Sequence, residues 1–167
     1  MPKPKPKPES TPEQQNLTVG VISDTHGLMR PEALAALDGS DLILHGGDIG
    51  KPAVLDALRE VAPVEAIRGN VDTGDWAQVV PWRRNLELAG MSVHLLHNIA
   101  ELEPRDVESL DAVVFGHSHK PRNETLGGVL YFNPGSAGPR RFKLPVTVGK
   151  LYLRRGHLAG EIVALPV

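Results

Sequence analysis

Aspartate, asparagine and histidine recur in this 167-residue sequence at the ends of apolar runs, in spacings suited to metal and acid–base chemistry. Asp24 stands with His26 in Asp24-Thr25-His26-Gly27, Asp48 closes Gly46-Gly47-Asp48, and Asn70 stands with Asp72. His97 ends another run, and His117 and His119 share Gly116-His117-Ser118-His119. Neutral imidazole is the commonest protein metal ligand, and two of them at i, i+2 on extended backbone point to the same side. Singly, each cluster also reads as an ordinary turn, because Asp, Asn and Gly favour turns through local hydrogen bonding. As a set they read as one site.

Asp24, His26, Asp48, Asn70, His97, His117 and His119 form a ligand pool of carboxylates, an amide and imidazoles. Hard oxygen mixed with imidazole suits manganese, iron, nickel, zinc or cobalt, and not copper(I) or an iron–sulfur cluster. Cysteine is absent, which excludes thiolate ligands, a thiol nucleophile and a disulfide framework. The pool is too large for one tetrahedral ion and suits two divalent ions sharing a carboxylate, with manganese favoured. Such a pair stabilises the attacking and leaving oxygens of an in-line displacement and generates hydroxide near neutral pH. Two divalent ions, less two carboxylates and a bridging hydroxide, leave about one positive charge to meet a phosphate anion. An amide at Asn70 keeps the site electrophilic where a carboxylate would cancel more charge.

The elements that must carry these clusters follow from the apolar pattern. Residues 1–16, MPKPKPKPESTPEQQN, hold alternating proline and lysine with almost no apolar side chains, and are expected to form a disordered tail. Lys3, Lys5 and Lys7 could there touch an acidic surface or a proline-binding module. From Leu17 a β-branched run reads as a buried strand, followed by a helix from Arg30 to Leu37, a strand from Asp41 to His45, a helix from near Pro52 and a strand from Val64 to Ile67. This β-α-β-α-β order implies a parallel sheet covered by helices. Asn85–Leu88 and Met91–His97 read as a hairpin about Ala89-Gly90, and a short helix is expected around Arg105 to Leu110. Arg122–Leu126 with Val129–Phe132, and Pro145–Arg154 with His157–Leu165, read as two more hairpins. The fold class is therefore α/β, a layered sandwich with two mixed β-sheets flanked by helices, as a single domain over residues 17–167. In α/β sheets ligand sites gather outside the carboxyl ends of the strands, so the clusters should converge.

No run reaches the 18 or so apolar residues of a membrane span, so a cytoplasmic protein without a membrane partner is expected. A net charge of −2 gives no reason to expect nucleic acid as a partner beyond a nucleotide substrate, although the lysine-proline tail leaves that reading open. Among the other histidines, His94 lies on the opposite strand face from His97, His157 falls at a hairpin turn, and His45 is either a core residue or a group behind the site. Arg68 is either a substrate phosphate contact or simply exposed. Trp76 and Trp82 could be surface anchors, core or lid, and oligomeric state stays open.

The ordered series DTH, GGD, GN, H and GHSH resembles the calcineurin-like metallophosphoesterases, most closely their compact single-domain phosphodiesterases. The resemblance covers essentially Leu17 to Val167. It implies that Asp24, His26 and His119 hold one ion, that Asn70, His97 and His117 hold the other, and that Asp48 bridges. It implies hydrolysis of a small phosphate ester, probed best with a diester, and a structural role for the late turn Asn133-Pro134-Gly135-Ser136. The sequence departs from the family at Val71, where many members carry a histidine that donates a proton or contacts phosphate. With Asn70 and Asp72 as the candidate catalytic residues, leaving-group protonation falls to Asp72 alone, to water, or is dispensed with for leaving groups that need little help. Asn98 stands where glycine is usual, and its tolerance of left-handed backbone is expected to preserve the turn. Val71 also motivates a different reading, a scaffold or interaction protein with weakened chemistry, in the manner of the small retromer subunit of this fold.

Overall fold

A computed structural model describes residues 16–167. The expected tail lies outside these residues except for Asn16, which opens the first strand. Two five-stranded sheets make up the structure. The first is built from β1 (Asn16–Ile22), β2 (Leu42–His45), β3 (Val64–Ala66), β9 (Thr147–Arg154) and β10 (His157–Ala164), in the order β10-β9-β1-β2-β3. The second contains β4 (Arg83–Leu88), β5 (Met91–Leu96), β6 (Ala112–Val114), β7 (Arg122–Leu126) and β8 (Val129–Asn133), in the order β4-β5-β6-β8-β7. Both are mixed. β1, β2 and β3 run parallel, as do β5, β6 and β8, while β9 and β10, β4 and β7 pair antiparallel at the flanks.

Side-chain alternation explains the layering. Val19 and Val21 of β1, Leu44 of β2 and Leu151 and Leu153 of β9 point into the space between the sheets, where they meet Val93, Leu95, Val114 and Phe132 of the second sheet. Ile22 and Ile43 point the other way, onto α1 (Pro31–Ala36) and α2 (Pro52–Arg59) through Leu37, Val54, Leu55 and Leu58. Proline opens both helices, where its missing N–H leaves no hydrogen bond unmade. The outer face of the second sheet carries no α-helix among the described residues. Val113, Phe115 and Leu96 pack there against Ile99, Val107 and Leu110.

The helix expected around Arg105 is a correction. That segment is a 3-10 turn over Pro104–Val107, held by Asp106 N–H donating to the Glu103 carbonyl at 2.8 Å and by a reciprocal capping box between Glu103 and Asp106. Too few residues separate it from β6 for an α-helix, because Asp111 is already tied to Ser92 at 2.8 Å. The hairpins appear as expected, with Ala89 adopting left-handed backbone in the first. No helix among the described residues is long and apolar enough to cross a membrane.

Candidate metal centre

The parallel strands of both sheets end at one edge of the sandwich, and their next residues fold over one another. Asp24 N–H donates to the Gly47 carbonyl and His26 N–H to the Asp48 carbonyl, each at 2.9 Å, locking the turn after β1 to the turn after β2. Within the second sheet Gly116 N–H donates to the His97 carbonyl at 3.0 Å, and across the sheets His117 N–H donates to Asp24 Oδ2 at 3.1 Å. Ser136 of the late turn donates its hydroxyl to the Asp24 carbonyl at 3.0 Å, and Asn133 donates its amide to the Gly116 carbonyl at 3.0 Å.

Asp24, His26, Asp48, His117 and His119 all have positive φ, between 48° and 75°. Left-handed backbone is uncommon outside glycine and costs roughly 1–3 kcal/mol where a side chain must be carried. Glycine cannot substitute here, because the side chains are the point of the turn. Where no side chain is needed, glycine lets the turns close: a Cβ at Gly69 would overlap the Asp48 carboxylate, and one at Gly116 would overlap Ser23 Oγ and Asp24 Oδ2.

The result is a cluster of ligand atoms. Asp24 Oδ1 lies 3.5 Å from His119 Nε2, 3.9 Å from His97 Nε2 and 4.0 Å from His26 Nε2. Asp48 Oδ2 lies 3.3 Å from His97 Nε2 and 3.7 Å from His26 Nε2, so it touches one histidine from each expected ligand set. Two groups with metal-ligand spacing result, Asp24-His26-His119 and Asp24-Asp48-His97. Asp24 contributes an oxygen to both groups and Asp48 to the second. His117 stacks edge-on to His97 with ring centres 5.1 Å apart, and both His117 and Asn70 are exposed at the rim.

Whether these residues fit a cation can be judged from their unmet bonding. Asp24 is fully buried, yet its Oδ1 has no hydrogen-bond partner, and neither has His26 Nε2 or His97 Nε2. Burying such atoms unpaired is costly, and divalent cations held by the two groups would satisfy all three. His97 Nδ1 donates to the Gly46 carbonyl at 2.7 Å, which turns the lone pair of Nε2 toward the carboxylates. Burial alone would raise the Asp48 pKa, but the neighbouring His97 ring and the bond from the Val71 N–H outweigh it and hold the carboxyl at about 2. Burial would likewise lower His97, and the neighbouring Asp48 carboxylate together with the bond to Gly46 outweigh that and raise it. The donor set fits a divalent cation.

A match to the family model described as the calcineurin-like phosphoesterase superfamily domain covers residues 17–156. The chain belongs to that superfamily. It is 36% identical over 162 residues to a probable metallophosphoesterase of Methanothermobacter thermautotrophicus, covering 88% of this chain and 92% of that one. It is 32% identical over 111 residues to phosphodiesterase YfcE of Escherichia coli, covering 59% of this chain and 58% of that protein. In fold it is similar to vacuolar protein sorting 29 of Cryptosporidium parvum, with a TM-score of 0.71 and 19% identity over 89% of this chain and 98% of the other.

Asp72 differs from its sequence-based reading. It is fully buried, and its carboxylate accepts N–H bonds from Ile49 at 3.0 Å, Gly50 at 2.9 Å and Gly69 at 2.9 Å. Sealed from solvent and engaged by three backbone donors, it ties the turn after β2 to the turn after β3. Asn98 is also corrected. Its backbone is extended, with φ −113°, and its side chain caps the following turn by accepting the Ala100 N–H at 3.0 Å. His45 is a buried core histidine that joins two turns of the site. Its Nδ1 accepts the Gly47 N–H at 3.1 Å and its Nε2 meets Thr25 Oγ1 at 3.0 Å. Thr25 spends its own proton on the Ile49 carbonyl, so Nε2 carries the hydrogen and the ring is neutral. His94 bonds Asn85 and Arg83 away from the site, Trp76 packs on the core, and Arg68 stacks over exposed Trp82.

Sequence reasoning passed over Ser23, whose hydroxyl donates to Asp24 Oδ2 at 2.7 Å, because no spacing marks a bond made between chain neighbours in a turn.

Two outcomes follow. Gly116→Ala should displace the Asp24 carboxylate and abolish tight manganese binding in a calorimetric titration while the far-UV dichroism spectrum is retained. Burial lowers the His45 pKa from 6.5 to about 4, so the folded state binds fewer protons there than the unfolded state. The associated stability is complete above pH 6.5 and is lost as pH falls toward 4, a change of about 3 kcal/mol. Urea unfolding with a chelator present should show a weaker acid sensitivity in His45→Gln than in the parent between those pH values.

Proposed function

We propose that this metallophosphoesterase hydrolyses phosphodiesters with two divalent ions, manganese favoured. The observation that carries the reading is the meeting of Asp24 Oδ1, His26 Nε2 and His97 Nε2, buried and without partners, beside a carboxylate held ionised at Asp48. On this reading Asp24, His26 and His119 hold one ion, Asn70, His97 and His117 hold the other, and Asp48 spans them. Bound there, the ions would polarise a phosphoryl oxygen as Lewis acids and bring the pKa of water into the neutral range. The name of YfcE as a phosphodiesterase supports the choice of diesters.

The chain's own residues set the remaining terms. Gly46 fixes the ring orientation of His97, and Asp72 holds the Gly69 N–H next to Asn70 and ties it to Ile49 of the neighbouring turn. Val71, 48% exposed beside Asn70, offers no proton, and Asp72 is sealed away, so the leaving group draws its proton from solvent. Rates should therefore fall steeply as the leaving group becomes more basic. A second reading, a non-catalytic interaction protein, draws on that same valine. Against it stands the retention of every expected ligand side chain, which an interaction surface does not require.

Purified protein supplied with manganese is expected to hydrolyse bis(p-nitrophenyl) phosphate, and Asp48→Ala to abolish turnover with an unchanged dichroism spectrum. No turnover with manganese, nickel, iron, zinc or cobalt would overturn the hydrolase reading in favour of the interaction protein.

A further inference from the structure

Beside the metal centre lies a cleft of about 480 Å³ lined by Arg68, Asn70, Trp82, His97, Asn98 and Glu101. Its size falls in the range of small-molecule sites. Because Asn70 and His97 are candidate metal ligands, anything in this cleft is contiguous with a group held at the ions. Trp82 lines the cleft, an indole left 55% exposed although the Arg68 guanidinium sits over its ring, 4.3 Å from the centroid. An exposed indole on the wall of a cleft that reaches the candidate metal ligands offers a flat aromatic surface to a ligand there.

The placement of this indole is fixed by backbone. Arg68 N–H donates to the Pro81 carbonyl at 2.9 Å, and Arg84 Nε donates to the Ala66 carbonyl at 2.8 Å while its guanidinium pairs with Glu65 at 2.9 Å. The end of β3 and the start of β4 are therefore laced together on both sides of Trp82. Arg68 Nε is buried with no hydrogen-bond partner, a donor near the cleft left unmet by the protein. The rim carries the Asn98 amide and the Glu101 carboxylate, which suit the mixed donor and acceptor edge of a nucleobase.

We infer that the Arg68–Trp82 shelf is a binding subsite for the base of a nucleotide ester, the base stacking on Trp82 while its phosphate lies at the ions. A base stacks on an aromatic side chain whatever its identity, so the subsite selects base-bearing esters over plain sugar or alkyl esters without reading one base. The inference rests on the phosphoesterase reading and narrows its substrate class.

The test is calorimetry on the full manganese-loaded chain with thymidine 5′-monophosphate, phenyl phosphate and 2-deoxyribose 5-phosphate, in the parent, Trp82→Ala and Trp82→Phe. Thymidine monophosphate should bind the parent roughly tenfold tighter than the sugar phosphate, with phenyl phosphate between them. Trp82→Ala should remove that preference and Trp82→Phe keep most of it, with thermal midpoints unchanged because the indole is exposed. Phenyl phosphate binding as tightly as the nucleotide would overturn the assignment to a nucleobase. Equal binding of nucleotide and sugar phosphate, with bis(p-nitrophenyl) phosphate still hydrolysed, would overturn the subsite and leave the phosphoesterase standing. Failure of all three to bind, together with no turnover, would overturn both.

Discussion

The structure depends on holding ligand-bearing residues in left-handed backbone. Asp24, His26, Asp48, His117 and His119 are each in that region, and each must keep a side chain there. Asp and His enter this region more readily than most residues, but local preference alone does not supply the energy. It comes from turns that hydrogen-bond one another: Asp24 to Gly47, His26 to Asp48, Gly116 to His97 and Ser136 to Asp24. The buried carboxylate of Asp72 adds three backbone bonds at the junction of two of these turns. The strain is thus tolerated only in the assembled sandwich, which is why both sheets must end at the same edge.

The same interlocking explains the electrostatics. Asp24 and Asp48 are buried within reach of His26, His97 and His119, an arrangement that would be unfavourable for a stable interior without a cation. His45 contributes in the opposite sense. Neutral, wholly buried and bonded to Thr25 and Gly47, it stiffens the turns without adding positive charge beside the ligands. Among the described residues neither Asp24 nor Asp48 pairs with a lysine or an arginine.

Much of this was legible in the sequence. Apolar runs ending in Asp24, Asp48, Asn70, His97 and His117 marked strand ends, and the βαβ rule then required the clusters to converge. Paired glycines and β-branched runs marked the hairpins. What escaped depended on bonds through space. Asp72 reads as reactive beside Asn70 until its backbone donors from distant turns are seen. Asn98 reads as a left-handed turn until its cap to Ala100 is seen, and the short 3-10 turn at Pro104 reads as a helix until the length left before β6 is counted. The shelf of Arg68 and Trp82 joins residues from two sheets, and no spacing along the chain brings them together.

The central claim is that Asp48 spans two ion positions, one completed by His119 and the other by His117. Manganese titration of the chelator-stripped protein, read by calorimetry and metal analysis, tests it most directly in the parent, His117→Ala and His119→Ala. Two ions per chain in the parent, with each variant retaining one and the two losses at distinguishable affinities, is the result this account predicts. A single ion in the parent, or both substitutions emptying the same position, would contradict it.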